Sequence, residues 1–173
     1  DIQLSLTTYY FKDIEELIHH AIWLNAEISI LASDSLWLNL SPLITEFDKA
    51  ALRKSEIKRV LAENISQTLF EHIISTVSDK YEEISVEQIL FTQTHLSDDL
   101  KRFSDNHKAI LLEPFLKLCR ALNKKSADID AEILFTLIKQ WQYQFLAINI
   151  EEQDKTHLYS LIFRTVSLLL KVK

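Results

Sequence analysis

Not one residue of this 173-residue chain is glycine, and only two, Pro42 and Pro114, are proline. Average usage would supply roughly a dozen glycines. Two-residue hairpin loops and most tight turns need a residue that accepts positive φ, and glycine does so at least cost. A chain without it is badly placed to build meanders or sandwiches and well placed to build helices joined by polar loops. Phosphate loops of the G-x-x-x-x-G-K-S/T and G-x-G-x-x-G kinds are excluded outright. The expected fold class is all-α.

An apolar fraction of 47% with 25% charged residues predicts one domain with a substantial core. No apolar run approaches the ~18 residues of a membrane span and no leader pattern is evident, so no membrane partner is expected. The single cysteine, Cys119, excludes an internal disulfide framework. Its neighbours Leu116, Leu118 and Leu122 predict a buried thiol in a reducing, cytoplasmic setting. The net charge of −6 does not suit a protein that lies along phosphate with its whole surface.

Asp13, with Glu16 three residues on, predicts the capped start of a helix. Ile14, Leu17, Ala21, Leu24, Ile28 and Leu31 then fall three and four apart, as one apolar stripe over 13–31. The adjacent His19 and His20 point about 100° apart, unlike an i, i+4 metal pair, and read as solvated or capping. Ser33-Asp34-Ser35 predicts a loop, and Ser41-Pro42 the start of a short helix to about Leu52. Ser55 should cap a helix to about Asp79, and Ser85 with Gln88 a further one to about Thr94. A turn at 97–103 precedes a helix over 106–122, which either kinks at Pro114 or begins there. Asp128 should cap a helix to about Ile148, and acidic residues from Glu151 open a final one.

Asn64, Thr68 and His72 stand at i, i+4 and i+8 on an otherwise apolar helix. They either hydrogen-bond within the core or face a cavity. The cavity reading predicts a drug-sized apolar pocket bordered by Trp37, Leu61, Asn64, Thr68, His72, Phe91, Leu111 and Phe115. The last two helices carry more apolar surface than one core contact needs, which predicts a homodimer. Its interface should bury at least ~2,000 Å² around Phe135, Trp141, Tyr159, Phe163 and Val166. No paired cysteine, H-E-x-x-H or recognisable Ser-His-Asp set is present, so neither a catalytic site, nor a metal, nor a cofactor is expected.

The stretch Ser5-Leu6-Thr7-Thr8-Tyr9-Tyr10-Phe11, followed by Glu15, Glu16 and Leu17, resembles the end of the helix-turn-helix in TetR-type bacterial transcriptional repressors. The resemblance covers about the first twenty residues. It implies that residues 1–12 are the remnant of a DNA-binding domain and 13–173 a ligand-binding and dimerisation domain, a helical bundle ending in a two-helix dimerisation unit. Ser5, Thr7, Thr8, Tyr9, Tyr10 and Lys12 would then contact double-stranded DNA, mainly at phosphate. The implied function is that of a homodimeric repressor released from a palindromic operator by a small apolar effector. The rival readings are a helical interaction module that never touches DNA and a small-molecule carrier.

Overall fold

The structure, a computed structural model, describes residues 12–47, 51, 54–92, 97–122, 125–147 and 154–172. Among them are six helices and no strand, as the lack of glycine predicts. They are α1, Ile14–Thr45; α2, Ser55–Asp79; α3, Tyr81–Thr92; α4, Asp98–Leu122; α5, Ala127–Ala147; and α6, Lys155–Leu169. Helix α1 packs on α2, α3 and α4, α4 packs on α5, and α5 and α6 both lean on α2. The stretch Ser5 to Phe11, which carries the resemblance, lies outside the described residues.

Asp13 caps α1 as expected, its side chain accepting from the Glu16 amide at 2.8 Å. Glu16 reaches back to the Lys12 amide at 2.5 Å, so two otherwise orphaned donors are satisfied. The expected loop at Ser33-Asp34-Ser35 and the short helix after it do not form; α1 is one helix of 32 residues running through Pro42. The apolar repeat explains the continuity: Leu36 and Leu40, both buried, extend the spacing set by Ile22, Ala26, Ser29 and Ser33. Pro42 removes the amide that would bond the carbonyl of Leu38, but Leu38 is exposed and water can take that acceptor.

The buried face of α1 is also not the one expected. Ala21, Leu24 and Leu31 point outward, while Ile22, Asn25, Ala26, Ser29 and Ser33 point inward. Neighbouring positions on a helix differ by about 100°, so α1 carries its exposed leucines and its buried side chains on different faces. The stripe richer in leucine is the outer one.

Helix α2 spans the predicted residues, but Lys54 precedes it without a side-chain cap and Ser55 is its first helical residue. Ser85 does not open a helix either; α3 begins at Tyr81, and the Ser85 hydroxyl donates back to the Tyr81 carbonyl. In α4 the turn and the helix expected separately are one. Ser97 Oγ accepts from the Leu100 amide at its start, and Pro114 lies inside it, so the helix does not begin there. Ile110, whose carbonyl loses its partner to Pro114, is again exposed. Helix α5 starts one residue before Asp128, and Ser126 donates to the Asp130 carboxylate across its first turn. Asp154 caps α6 by accepting from the His157 amide.

Helix α6 ends in a Schellman turn. The Lys171 and Val172 amides donate to the Leu168 and Ser167 carbonyls, and Lys171 takes the left-handed conformation at φ 54°. Glycine usually occupies that position, and this chain has none.

The main core runs from Leu36 and Leu40 through Leu61, Ile65, Leu69 and Ile73 to Leu134, Ile138 and Ile162. Each such side chain contributes roughly 1.5–3 kcal/mol by leaving water. A smaller cluster, Ile22, Leu90 and Leu100, stands apart from it. Between the two along their helices lie Ser29 on α1, Glu87 on α3, and Ser104 and His107 on α4, all buried. A polar layer thus interrupts the interior.

The residues expected at a dimer interface occupy other places. Phe135, Trp141 and Val166 belong to the core of the single chain, so they have no free face to offer a second copy. Tyr159 and Phe163 are half-buried and stack on each other, with Tyr159 edge-on to Phe70. Much of the apolar excess of α6 is spent against α2. Among the described residues, no helix is long and apolar enough to cross a membrane.

Candidate functional site

At the centre of the polar layer is the Glu87 carboxylate, 1% exposed. Helix α3 places it between Ile84 and Leu90, which bury the same side of that helix. Oε1 accepts twice from α5, from Lys139 Nζ at 2.7 Å and from the Tyr143 hydroxyl at 3.2 Å. His107 Nε2, on α4, stands 3.8 Å from Oε2, too long for a hydrogen bond. The His107 ring is held by Phe103, stacked at 6.1 Å, and by Phe91 at 5.9 Å.

Burial works against ionisation of Glu87, but the charge of Lys139, with the approach of His107 and the Lys139 hydrogen bond, outweighs it and holds the carboxyl down at about 2. Tyr143 is pushed well above the ordinary phenol range, by burial first and by the Glu87 charge second. His72, on α2, is lowered to about 3 by desolvation of its ring and by the charges of Lys139 and Lys80. It is therefore neutral at ordinary pH.

These groups surround a cavity of about 20 Å³ where α1 to α5 meet. That volume is near the minimum for one water molecule. Its wall includes Ser29 and Ser33 of α1, His72 and Thr76 of α2, Glu87 of α3, Leu111 and Phe115 of α4, and Lys139 and Gln142 of α5. Three of the lining residues carry buried polar atoms with no hydrogen-bond partner among the described residues: Ser29 Oγ, Glu87 Oε2, and both amide atoms of Gln142. A buried polar atom left in this way costs about 1–3 kcal/mol, so a convergence of them at one point calls for a reason.

Of the eight side chains expected around a pocket, three line this one: His72, Leu111 and Phe115. Leu61 is buried elsewhere in the core, and Phe91 supports the His107 ring from behind. Trp37, on α1, lies beneath Lys117 Nζ at 5.4 Å and lines an open surface groove at Pro114. Asn64 is exposed, and Thr68 donates to the Asn64 carbonyl of its own helix. The file of three splits because a step of four residues drifts about 40°, which carries Asn64 out to solvent by the time His72 faces in. The cavity is also water-sized rather than drug-sized, and its wall mixes polar side chains with apolar ones.

Sequence reasoning missed Ser29, Glu87, His107, Lys139, Gln142 and Tyr143. The available signal was a polar residue at a position where the repeat demands an apolar one. Gln142 stands in the series Ala131, Phe135, Ile138, Phe145, and His107 in the series Leu100, Ser104, Leu111.

Cys119 is buried, and burial with the nearby Asp130 charge raises its thiol to about 12, which leaves it inert at ordinary pH. Among the described residues no three His, Cys, Asp or Glu side chains converge in a way that could hold a metal ion. Of the residues expected at DNA, Lys12 is exposed, while Ser5, Thr7, Thr8, Tyr9 and Tyr10 lie outside the described residues. Neither a protein-family model nor a curated protein sequence matches this chain.

Proposed function

We propose that this chain is the regulatory body of a ligand-responsive, DNA-binding transcriptional regulator of the TetR type, a repressor released from a palindromic operator by a small effector. The observation that carries the reading is that Ser29, Glu87 and Gln142, each with an unpartnered buried polar atom, line one cavity. Stability alone would favour apolar side chains at those positions. The resemblance at Ser5 to Leu17 supplies the DNA-binding half of the proposal. Asp13 caps α1 directly after the tyrosines of that stretch, and α1 continues unbroken to the cavity residues Ser29 and Ser33. A ligand that prefers one position of α1 would bias the spacing of two half-site readers.

Reading two half-sites needs a second copy. A dimer through α5 and α6 would use their exposed apolar residues, Ile129, Ile133, Leu161 and Leu168, in place of the residues enclosed in the core. A second reading, an interaction module without DNA binding, is favoured by the exposed leucines of α1, Leu24, Leu31 and Leu38, which repeat every seven residues.

Selection from random duplex DNA with the full-length protein, followed by sequencing, tests the proposal. A palindromic motif should be enriched. No enrichment at low salt, where phosphate attraction is strongest, would overturn it in favour of the interaction module.

A further inference from the structure

We infer that the cavity beside Glu87 binds a small uncharged molecule that presents an amide-like edge, a donor next to an acceptor, to the side chain of Gln142. The inference rests on the proposal that this cavity is the effector site, and adds to it the class of ligand.

Gln142 decides the pattern. Its side chain is fully buried, and neither Nε2 nor Oε1 has a partner among the described residues. An amide free at both atoms offers one donor and one acceptor side by side, which another cis-amide edge meets with two parallel hydrogen bonds. Primary amides, lactams and related ring edges share that pattern. Glu87 adds no free acceptor of its own: Lys139 and Tyr143 occupy Oε1, and His107 Nε2 stands 3.8 Å from Oε2. Ser29 Oγ serves as either donor or acceptor.

Charge excludes the obvious competitors. A cation would be drawn to Glu87, but Lys139 already neutralises that carboxylate at 2.7 Å and Lys80 also lines the cavity. An anion would stand against Glu87 and Glu83. Beside the charges of buried Glu87 and of Lys139, either repulsion outweighs what a single added contact returns. An uncharged edge escapes both.

Size links the site to movement. The cavity holds about one water molecule, so any larger occupant displaces a wall. On α1 that wall is made of Ser29, Ala32 and Ser33, with Leu36 and Ile28 at its margins. Small side chains give α1 little interlocking there, which makes it the wall that yields.

The experiment uses three probes of similar size, acetamide, methylammonium and acetate, titrated separately while the methyl resonances of Leu111 and Ile138 and the side-chain amide of Gln142 are followed by NMR. Acetamide should shift all of them saturably, and the two ions should not. Gln142→Met should weaken the acetamide response at the methyls by at least about tenfold. The wild-type amide resonance reports independently if that variant does not fold. Saturable shifts from methylammonium or acetate, with none from acetamide, would overturn the ligand class and leave the effector cavity standing. No response to any of the three would overturn the class and the cavity as effector site together, whatever the DNA selection shows.

Discussion

Lys139 and Glu87 meet 2.7 Å apart inside the core, the ammonium donating to Oε1, and the contact ties α5 to α3. Removing one member strands the other. Lys139→Met should leave the buried carboxylate uncompensated and cost about 3–5 kcal/mol in denaturant unfolding. Adding Glu87→Leu to that variant should recover most of the loss, since two apolar groups need no partner. A double variant as unstable as the single one would mean that Glu87 has stronger partners than Lys139.

Acid should destabilise the fold in two stages. Unfolding frees His72 from its lowered value of about 3 toward 6.5, so the unfolded chain binds that proton first, and stability declines as pH falls below 6.5. Glu87, at about 2 against an ordinary 4.5, adds a second decline between 4.5 and 2, worth roughly 3 kcal/mol in all. His72→Phe should remove the upper stage and keep the lower. Unfolding midpoints that stay flat down to pH 4.5 in the wild type would contradict the placement of the His72 ring.

Gln142→Leu should raise stability by about 1–3 kcal/mol, an unusual direction for a core substitution, because it deletes two unsatisfied polar atoms at little change in volume. Thermal or denaturant unfolding checks this directly. A loss of similar size would show that the Gln142 amide is already satisfied.

The two faces of α1 offer a sharp contrast. Leu36→Ala should cost about 2–5 kcal/mol by opening a cavity, whereas Leu31→Ala should stay within ~0.5 kcal/mol in the monomer. Leu36 is 2% exposed and Leu31 67%. The reverse order would turn the helix over.

Lys171 holds a left-handed conformation that costs a residue with a Cβ about 1 kcal/mol. Lys171→Gly should recover most of that in the unfolding midpoint, with Lys171→Asn between the two.

The all-α class could be read from composition because turn chemistry leaves few other options to a chain without glycine. The ends of helices were less legible. Asp13 and Asp154 gave clear caps, but Ser33 and Ser85 are equally good capping residues that tertiary packing carried into helix interiors. The face of α1 was misjudged for a physical reason: hydrophobicity favours the stripe with Leu24 and Leu31, while the neighbours of α1 offer a polar layer that Asn25 and Ser29 suit better. Asn25 shows this by donating to the Glu83 carbonyl on α3 at 2.8 Å. The cavity was half legible. His72, Leu111 and Phe115 could be reached from one helix pattern at a time, whereas Glu87 and Lys139 lie 52 residues apart and only the fold brings them together.

At 32 residues, α1 is a rod about 48 Å long. The cavity touches it near the middle, at Ser29, and Asp13 lies about 24 Å away along the axis at 1.5 Å per residue. Ile22 and Asn25 tie this arm to α3 and α4 part of the way along, so a lever of this kind would pivot close to Ile22 and carry the residues before it. A tilt of about 5° there, small enough for a few side-chain adjustments, would sweep Asp13 through about 1 Å on an arm of about 14 Å. Its sensitivity would come from length and stiffness, with no hinge required.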